Sequence, residues 1–339
     1  MKERSNLTLT THPPAKLNLF LELLGKRADG FHELDTVMVP IDWCDKLSLR
    51  CSDHPGIDLT VRVQTSPNLG ERDKRPAIEG TEKAPDSSEP ESVPSDQRNL
   101  VYRALAAFQQ TFQIQTGFLC DLTKRIPAGA GLGGASSDAA SALLLAARLH
   151  DIAPSHPDIN HIAKTLGSDI PFFLGCPDVN AQPGTDGPFQ CRAARGTGRG
   201  EIIERIECPA TIHFVVVFPL IGLSTPMVYS HSVVPSQKHD SQLIRDAIQQ
   251  GKTDQIARLL WNRLETPAKK LATGVKIALE LFQRVEVQGY QMTGSGSACF
   301  GIVKDENAAR RCADTLKEQL GSRYIIQVAR STDVPGLVH

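Results

Sequence analysis

The most constraining stretch of this 339-residue chain is Pro127-Ala128-Gly129-Ala130-Gly131-Leu132-Gly133-Gly134-Ala135-Ser136-Ser137-Asp138-Ala139-Ala140. Four glycines within six residues let a backbone curl tightly and approach a ligand with no Cβ in the way. The loop runs into an apolar helical pattern, with Ser136, Ser137 and Asp138 as cap candidates. A helix N-terminus offers unpaired N–H groups and the positive end of the helix dipole. Together these features specify a phosphate cradle. Walker A chemistry requires a Gly-Lys-Ser/Thr ending, and this loop has no lysine. The protein-kinase tripeptides His-Arg-Asp and Asp-Phe-Gly are absent from the chain. Gly129, Gly131 and Gly134 match the dinucleotide spacing. The segment after the helix, Asp151 to Pro157, leads to a second helix rather than to a strand, so the βαβ context fails.

The patterns around the loop read as α+β. Leu17, Leu19, Leu21 and Leu23 alternate with Asn18, Phe20 and Glu22, which predicts a strand with one buried face. Arg27 to Gly30 is a turn with an Asp-Gly signal. Residues 32–41, 45–51 and 57–63 continue as antiparallel candidates. Leu100, Val101, Ala104, Leu105, Phe108 and Phe112 share one helical stripe. A strand from Phe118 to Lys124 and helices over 136–150 and 158–166 follow. The later half predicts a strand at Phe214 to Phe218 and helices over 240–250, 253–263 and 266–284. It closes with strands 287–293 and 298–303, a helix 306–320 and a strand 323–330. Residues 176–200, rich in Gly, Pro and Asp, separate two expected units, 1–180 and 195–339. In each unit helices should cover one face of a mainly antiparallel sheet. Residues 64–98 carry five prolines and thirteen charges, too little apolar area to offset ordering entropy, and predict a solvated, mobile insertion.

Composition narrows the function classes. The 37 basic and 38 acidic residues nearly cancel, leaving no global attraction to nucleic acid or anionic membrane. No apolar run approaches the roughly 20 residues of a membrane span. The segment Met1 to Asn6 has no apolar signal core, so a cytoplasmic protein is expected. The eight cysteines form no CxxC and no zinc spacing, and read as reduced structural thiols.

Pro127 to Ala140 resembles the second motif of the GHMP kinase superfamily. Met292-Thr293-Gly294-Ser295-Gly296-Ser297-Ala298-Cys299-Phe300-Gly301 resembles its third. Near the N-terminus, Pro14-Ala15-Lys16-Leu17-Asn18-Leu19-Phe20-Leu21 and Gly25-Lys26-Arg27-Ala28-Asp29-Gly30-Phe31-His32-Glu33-Leu34 resemble the branch that phosphorylates a cytidyl-linked methylerythritol. Three departures stand out. Ala135 sits where a third consecutive glycine is usual, Arg263 where an aspartate is usual, and 64–98 and 176–193 are long.

The resemblance implies an α+β, two-domain fold: an N-terminal ribosomal-S5-like α/β domain that binds ATP and a C-terminal ferredoxin-like α+β domain. It implies ATP-dependent phosphorylation of the 2-hydroxyl of the cytidyl substrate, in the non-mevalonate isoprenoid precursor pathway. A kinase of the mevalonate or homoserine type, or a silent sugar or nucleotide sensor on the same fold, remains open. Taken alone, Asp169 in Leu166-Gly167-Ser168-Asp169-Ile170-Pro171-Phe172-Phe173 fits a turn cap as well as a base, and Lys16 fits an ordinary surface lysine. The resemblance makes Asp169 the base and Lys16 its partner. It places Asn18, Phe31, His32, Thr225 and Tyr229 on the substrate, with Phe31 and Tyr229 stacking on cytosine. It places ATP on Asn99, Leu100, Lys124 and the run Pro127, Ala128, Gly129, Ala130, Gly131, Leu132, Gly133, Gly134, Ala135, Ser136 and Ser137. Mg2+ is expected with ATP, near Ser136 or Ser137, with no dedicated carboxylate cage.

Overall fold

The computed structural model describes residues 7–64, 93–175, 190–332 and 334–335. The mobile-insertion reading therefore lies outside the described residues over 65–92, as does 176–189. After a short β1 (Leu9–Thr11), two long strands, β2 (Pro14–Lys26) and β3 (His32–Cys44), form a hairpin. Its turn closes with the Arg27 N–H donating to the Phe31 carbonyl at 2.8 Å, and Gly30 supplies a φ of 87°. β4 (Lys46–Ser52), β5 (Ile57–Val63) and β6 (Gly117–Lys124) join β1 in a sheet of order β1-β4-β6-β5. β5 runs parallel to β6, against the antiparallel expectation. The long connection between them, which includes α1 (Leu100–Phe112), provides the crossover a parallel pair needs. With α2 (Gly134–Leu149), α3 (Pro157–Leu166) and α4 (Ile170–Leu174), α1 and this sheet bury Phe108, Phe118, Leu143 and Phe172.

β2 departs from simple alternation. Every residue from Pro14 to Leu23 is buried, so both faces are covered. The register steps from Asn18 opposite Met38 to Phe20 opposite Val37, leaving Leu19 as a bulge. Leu17 and Leu19 pack with Leu132, Phe214 and Phe300, whereas Leu21 and Leu23 pack with Val215, Leu264 and Phe282. Both clusters draw on both halves of the chain.

The C-terminal sheet is antiparallel and runs in the order Gly289–Met292, Cys299–Val303, His213–Pro219, Tyr324–Arg330. Helices Thr273–Phe282 and Glu306–Leu320 bury Val275, Phe282, Ala309 and Leu316 against it. Three differences from the sequence reading matter. The strands Ala194–Gly198 and Ile202–Arg205, unforeseen, extend β3, so a unit beginning at 195 would start inside a strand of the N-terminal sheet. The helix expected over 253–263 ends at Arg258, and Trp261-Asn262 becomes a strand parallel to Phe20-Leu21. The helix expected over 266–284 is two, Glu265–Leu271 and Thr273–Phe282, because Ala272 is extended at φ −138° and ψ 107°. Among the described residues no helix is long and apolar enough to cross a membrane. Cys44, Cys120, Cys299 and Cys312 are free thiols.

Tertiary contacts override helix propensity at Trp261. Glu22 is fully buried and accepts from Arg263 Nε and Nη2 at 2.7 Å each, from Trp261 Nε1 at 3.2 Å and from the His239 N–H at 3.1 Å. Burial alone would raise the Glu22 carboxyl, but Arg263 and the His239 and Leu23 N–H groups more than offset it and hold it below its ordinary value. The unusual Arg263 is thus the counter-charge of a buried glutamate.

The two glycine-rich segments interlock where the halves meet. The Ala298 N–H donates to the Ala130 carbonyl at 3.0 Å, and the Lys16 N–H donates to the Leu132 carbonyl at 2.9 Å. Gly131 has φ 75°, and a Cβ there would lie 2.4 Å from the Thr293 carbonyl oxygen. A Cβ at Gly294 would lie 3.0 Å from the Gly131 carbonyl oxygen.

Two outcomes follow for stability. Arg263→Ala should lower unfolding stability by about 3 kcal/mol in urea titration, because it strands a buried carboxylate. Since folding lowers the Glu22 pKa, its contribution is present above the unfolded value and is lost as pH falls through the folded one; the gap between wild type and Arg263→Ala should therefore close in acid. A gap that widens in acid would contradict this. Gly131→Ala should cost at least about 2 kcal/mol from the positive φ and the clash, and should abolish ATP binding by titration calorimetry. Wild-type stability in that variant would mean the loops do not interlock.

Candidate active site

A cleft of about 1590 Å³ opens between the β2–β3 hairpin, the glycine loop, the α3–α4 connection and the segment 225–234. A single small ligand typically occupies about 300–1000 Å³, so this volume admits a nucleotide and a second large substrate. Every residue assigned to the site from sequence lines it, with one exception. Ser137 lies beneath the loop, fully buried, and among the described residues its hydroxyl has no hydrogen-bond partner.

The glycines serve distinct needs. Gly129, Gly131 and Gly133 have positive φ values of 65°, 75° and 72°. A Cβ at Gly133 would meet the Phe173 ring at 2.8 Å and Lys16 Cγ at 3.1 Å; one at Gly134 would meet Ile126 at 2.9 Å. α2 starts at Gly134, with Gly133 in the cap position and no side-chain cap bond. Ser136, Ser137 and Asp138 therefore sit in the first turns and do not cap, as the sequence suggested they would. The N–H groups of Gly134, Ala135 and Ser136 have no acceptor inside the helix and edge the cleft, as an anion site requires. Ala135 is exposed and helical, which explains why a methyl is tolerated there.

Lys124 edges this cradle, but its ammonium is already held. It pairs with Asp45 and, at 2.6 Å, with Asp138. Asp45 also accepts the Ile126 N–H at 2.9 Å, so the trio pins the start of the loop. Burial first, and then the Asp45 charge, push the Asp138 carboxyl up to about 8 against the pull of Lys124. Asp138 Oδ1 has no hydrogen-bond partner among the described residues, although the residue lines the cleft.

At the next position along the cleft, Lys16 Nζ donates to Asn18 Oδ1 and stands 3.7 Å from Asp169 Oδ2. The Asn18 amide donates to Thr36 Oγ1 at 2.8 Å, which fixes its flip state. Asp169 precedes α4 without making a side-chain cap bond, so the turn-cap alternative fails. Burial drives the Lys16 ammonium below the ordinary lysine value of 10.5, and Asp169 opposes that.

Phe31 is 54% exposed, with the Arg199 guanidinium carbon 5.0 Å from its ring centre. The Tyr229 ring meets His32 at 5.3 Å, tilted by 33°. Burial and the Lys26 charge lower the His32 pKa, which favours a neutral ring able both to donate and to accept. Thr225 Oγ1 hydrogen-bonds Ser295 Oγ at 2.8 Å. At the far end Asn99 caps α1, accepting the Val101 N–H at 2.9 Å, and donates to the Pro94 carbonyl at 2.6 Å. Val93, Pro94, Arg98 and Leu100 complete that wall, so the last residues of the expected insertion belong to the cleft.

Sequence reasoning missed Thr36, Asp138, Arg199, Gly294 and Ser295 as lining residues. Gly294 and Ser295 carried a signal, being inside the quoted third motif; Arg199 carried none. Among the described residues no three His, Cys, Asp or Glu side chains gather as a metal site.

Comparison with known proteins identifies the family. The GHMP kinases N terminal domain family matches residues 99–175 and the GHMP kinases C terminal family matches 239–322. A 4-diphosphocytidyl-2-C-methyl-D-erythritol kinase from Rhodopirellula baltica is 39% identical over 337 residues, 97% of each chain. The protein of that name from Shouchella clausii is 30% identical, covering 94% of each. A crystal structure of 4-(cytidine 5'-diphospho)-2C-methyl-D-erythritol kinase superposes with a TM-score of 0.68 at 29% identity, over 96% of this chain and 100% of that one. Homoserine kinase from Cytophaga hutchinsonii, at 16% identity and a TM-score of 0.64 over 97% of this chain and 95% of its own, shares the fold. With 39% identity sustained over nearly its full length, the chain belongs to the 4-diphosphocytidyl-2-C-methyl-D-erythritol kinase family of the GHMP kinases.

Proposed function

We propose that this chain transfers the γ-phosphoryl group of ATP to the 2-hydroxyl of 4-diphosphocytidyl-2-C-methyl-D-erythritol, with Asp169 as base. Membership of the family makes it an ATP-using kinase. The observation that carries the residue roles is the Lys16–Asp169 pair at 3.7 Å, lining the cleft that the glycine loop and His32 also line. The triphosphate lies on the N–H groups of Gly134 to Ser136, and the adenine end lies toward Leu100 and Pro94. Neutral His32 reads the cytosine edge, with Phe31 and Tyr229 against the base and Asn18 and Thr225 on the rest of the substrate. The acceptor hydroxyl then falls between Asp169 and the terminal phosphate. As its oxygen bonds to phosphorus, the bond to the β-phosphate oxygen breaks, the proton passes to Asp169, and ADP leaves. Lys16 offsets the negative charge of Asp169 and of the transferring oxygens.

The donor set also fits the Mg2+ that accompanies ATP. Asp138, whose buried Oδ1 has no hydrogen-bond partner among the described residues, lines the cleft wall that Ser136 also edges. Kinase magnesium takes one or two protein oxygens and completes its shell with phosphate and water. When bound, it would neutralise phosphate charge.

ADP release should be detected with the cytidyl substrate and not with mevalonate or homoserine. Release with either of the latter alone would place the chain elsewhere among GHMP kinases, and none with any would fit a silent sensor. Asp169→Asn should lower kcat by about 100- to 10,000-fold, with ATP affinity within about threefold. A variant retaining a tenth of wild-type kcat would exclude Asp169 as the base. Because burial lowers the Lys16 pKa, its ammonium deprotonates at a lower pH than a free lysine, so wild-type kcat/KM should fall on the alkaline side before pH 10.5. A profile flat to that point would show that Lys16 is not needed charged.

A further inference from the structure

We propose that Arg199 binds the diphosphate of the nucleotide-linked acceptor while its guanidinium braces Phe31. This rests on the cytidyl reading above and adds a residue to it. Arg199 sits at the tip of the hairpin joining Ala194–Gly198 to Ile202–Arg205. The hairpin is closed by the Gly200 N–H donating to the Thr197 carbonyl at 3.0 Å. Glycines on both sides, Gly198 at φ 74° and Gly200 at φ 109°, give the tight turn that points one long side chain toward the cleft. The Arg199 backbone is fixed as well, its N–H donating to Glu201 Oε2 at 2.6 Å.

The guanidinium has donors to spare. Its side chain is only 29% exposed, yet among the described residues it meets one carbonyl, that of Lys164 at 3.3 Å, and one carboxylate, Glu201 at 3.7 Å. A guanidinium carries five N–H donors in a fixed fork suited to phosphate oxygens. Charge around it points the same way. Lys26 lies opposite His32 in the β2–β3 register and, like Lys164, lines the cleft. Of the nearby acids, Asp29 and Glu33 both pair with Arg27, at 3.1 and 3.0 Å, and Asp29 feels the Arg199 charge without a direct ion pair to it among the described residues. Lys16 and Lys124 are committed to Asp169 and to Asp45 and Asp138. A substrate whose base rests by Phe31 and His32 brings its diphosphate between that end and Lys16. Among the described residues, Arg199 is the cation there that also lies over the Phe31 ring, 5.0 Å from its centre.

The test is titration calorimetry on the full chain, with the adenine-nucleotide site filled by a non-hydrolysable ATP analogue. The probes are cytidine 5'-diphosphate and cytidine. Arg199→Ala should weaken the diphosphate by about 10- to 100-fold, as loss of a charge-assisted hydrogen bond implies, and cytidine by less than about fivefold. Arg199→Lys should recover part of the loss by keeping the charge. The melting temperature and ATP affinity of both variants should match wild type. Three results would overturn the inference. These are diphosphate binding within about twofold of wild type in Arg199→Ala, equal weakening of both probes, and a matching loss for ATP. Failure of the wild type itself to bind either cytidine probe would instead overturn the cytidyl reading on which it rests.

Discussion

The site depends on the lack of space between two glycine-rich segments from opposite halves of the chain. Gly131 and Gly294 approach so closely that a methyl on either would meet the other's segment, and the Ala298–Ala130 hydrogen bond ties the two together. Backbones can meet this way only where no Cβ intervenes. The consequence reaches the chemistry directly. The Lys16 N–H bonds the Leu132 carbonyl, and its stem packs near Gly133, so closing the two segments also positions the ammonium beside Asp169. A phosphate cradle, a base and its counter-charge are thereby set by one contact surface.

Three charge groups, two of them buried, are satisfied to different degrees. Glu22 has a full set of donors, including the bidentate Arg263, and ties the C-terminal segment 239–263 to β2. Lys124 is likewise saturated by two carboxylates and acts on the loop by holding Asp45, which in turn accepts the Ile126 N–H. Asp169 differs. It keeps a partly exposed side chain, has no cap bond, and faces its lysine at 3.7 Å rather than in a closed pair. A carboxylate left with unused acceptor capacity on a cleft wall suits proton transfer, whereas saturated pairs suit structure.

Local pattern made much of this legible. The glycine loop, the β2 and β3 strands, α1, α2 and the closing strand–strand–helix–strand series all follow from periodicity and turn residues, and the structure contains each. The resemblance placed Lys16, Asp169 and His32, and the structure brings them to one cleft. What was not legible came from distant partners. Trp261 and Arg263 leave helical geometry because Glu22, some 240 positions away, binds both side chains. The strands at 194–198 and 202–205 are short and joined through Gly198 and Gly200, and exist because β3 offers an edge to the first, which in turn pairs with the second. The resemblance places Lys124 on ATP; that its ammonium also meets two carboxylates, Asp45 between β3 and β4 and Asp138 in α2, is a pairing no local window joins. Arg199 enters the cleft only through that unforeseen hairpin.

The most direct measurement is phosphorus NMR of the reaction mixture with ATP, Mg2+ and 4-diphosphocytidyl-2-C-methyl-D-erythritol. The account predicts one new phosphomonoester resonance per ADP formed, on the 2-oxygen, with the cytidyl diphosphate resonances retained. Inorganic phosphate appearing in place of the monoester, or a monoester on another hydroxyl, would contradict the alignment of Asp169, the acceptor oxygen and the glycine loop.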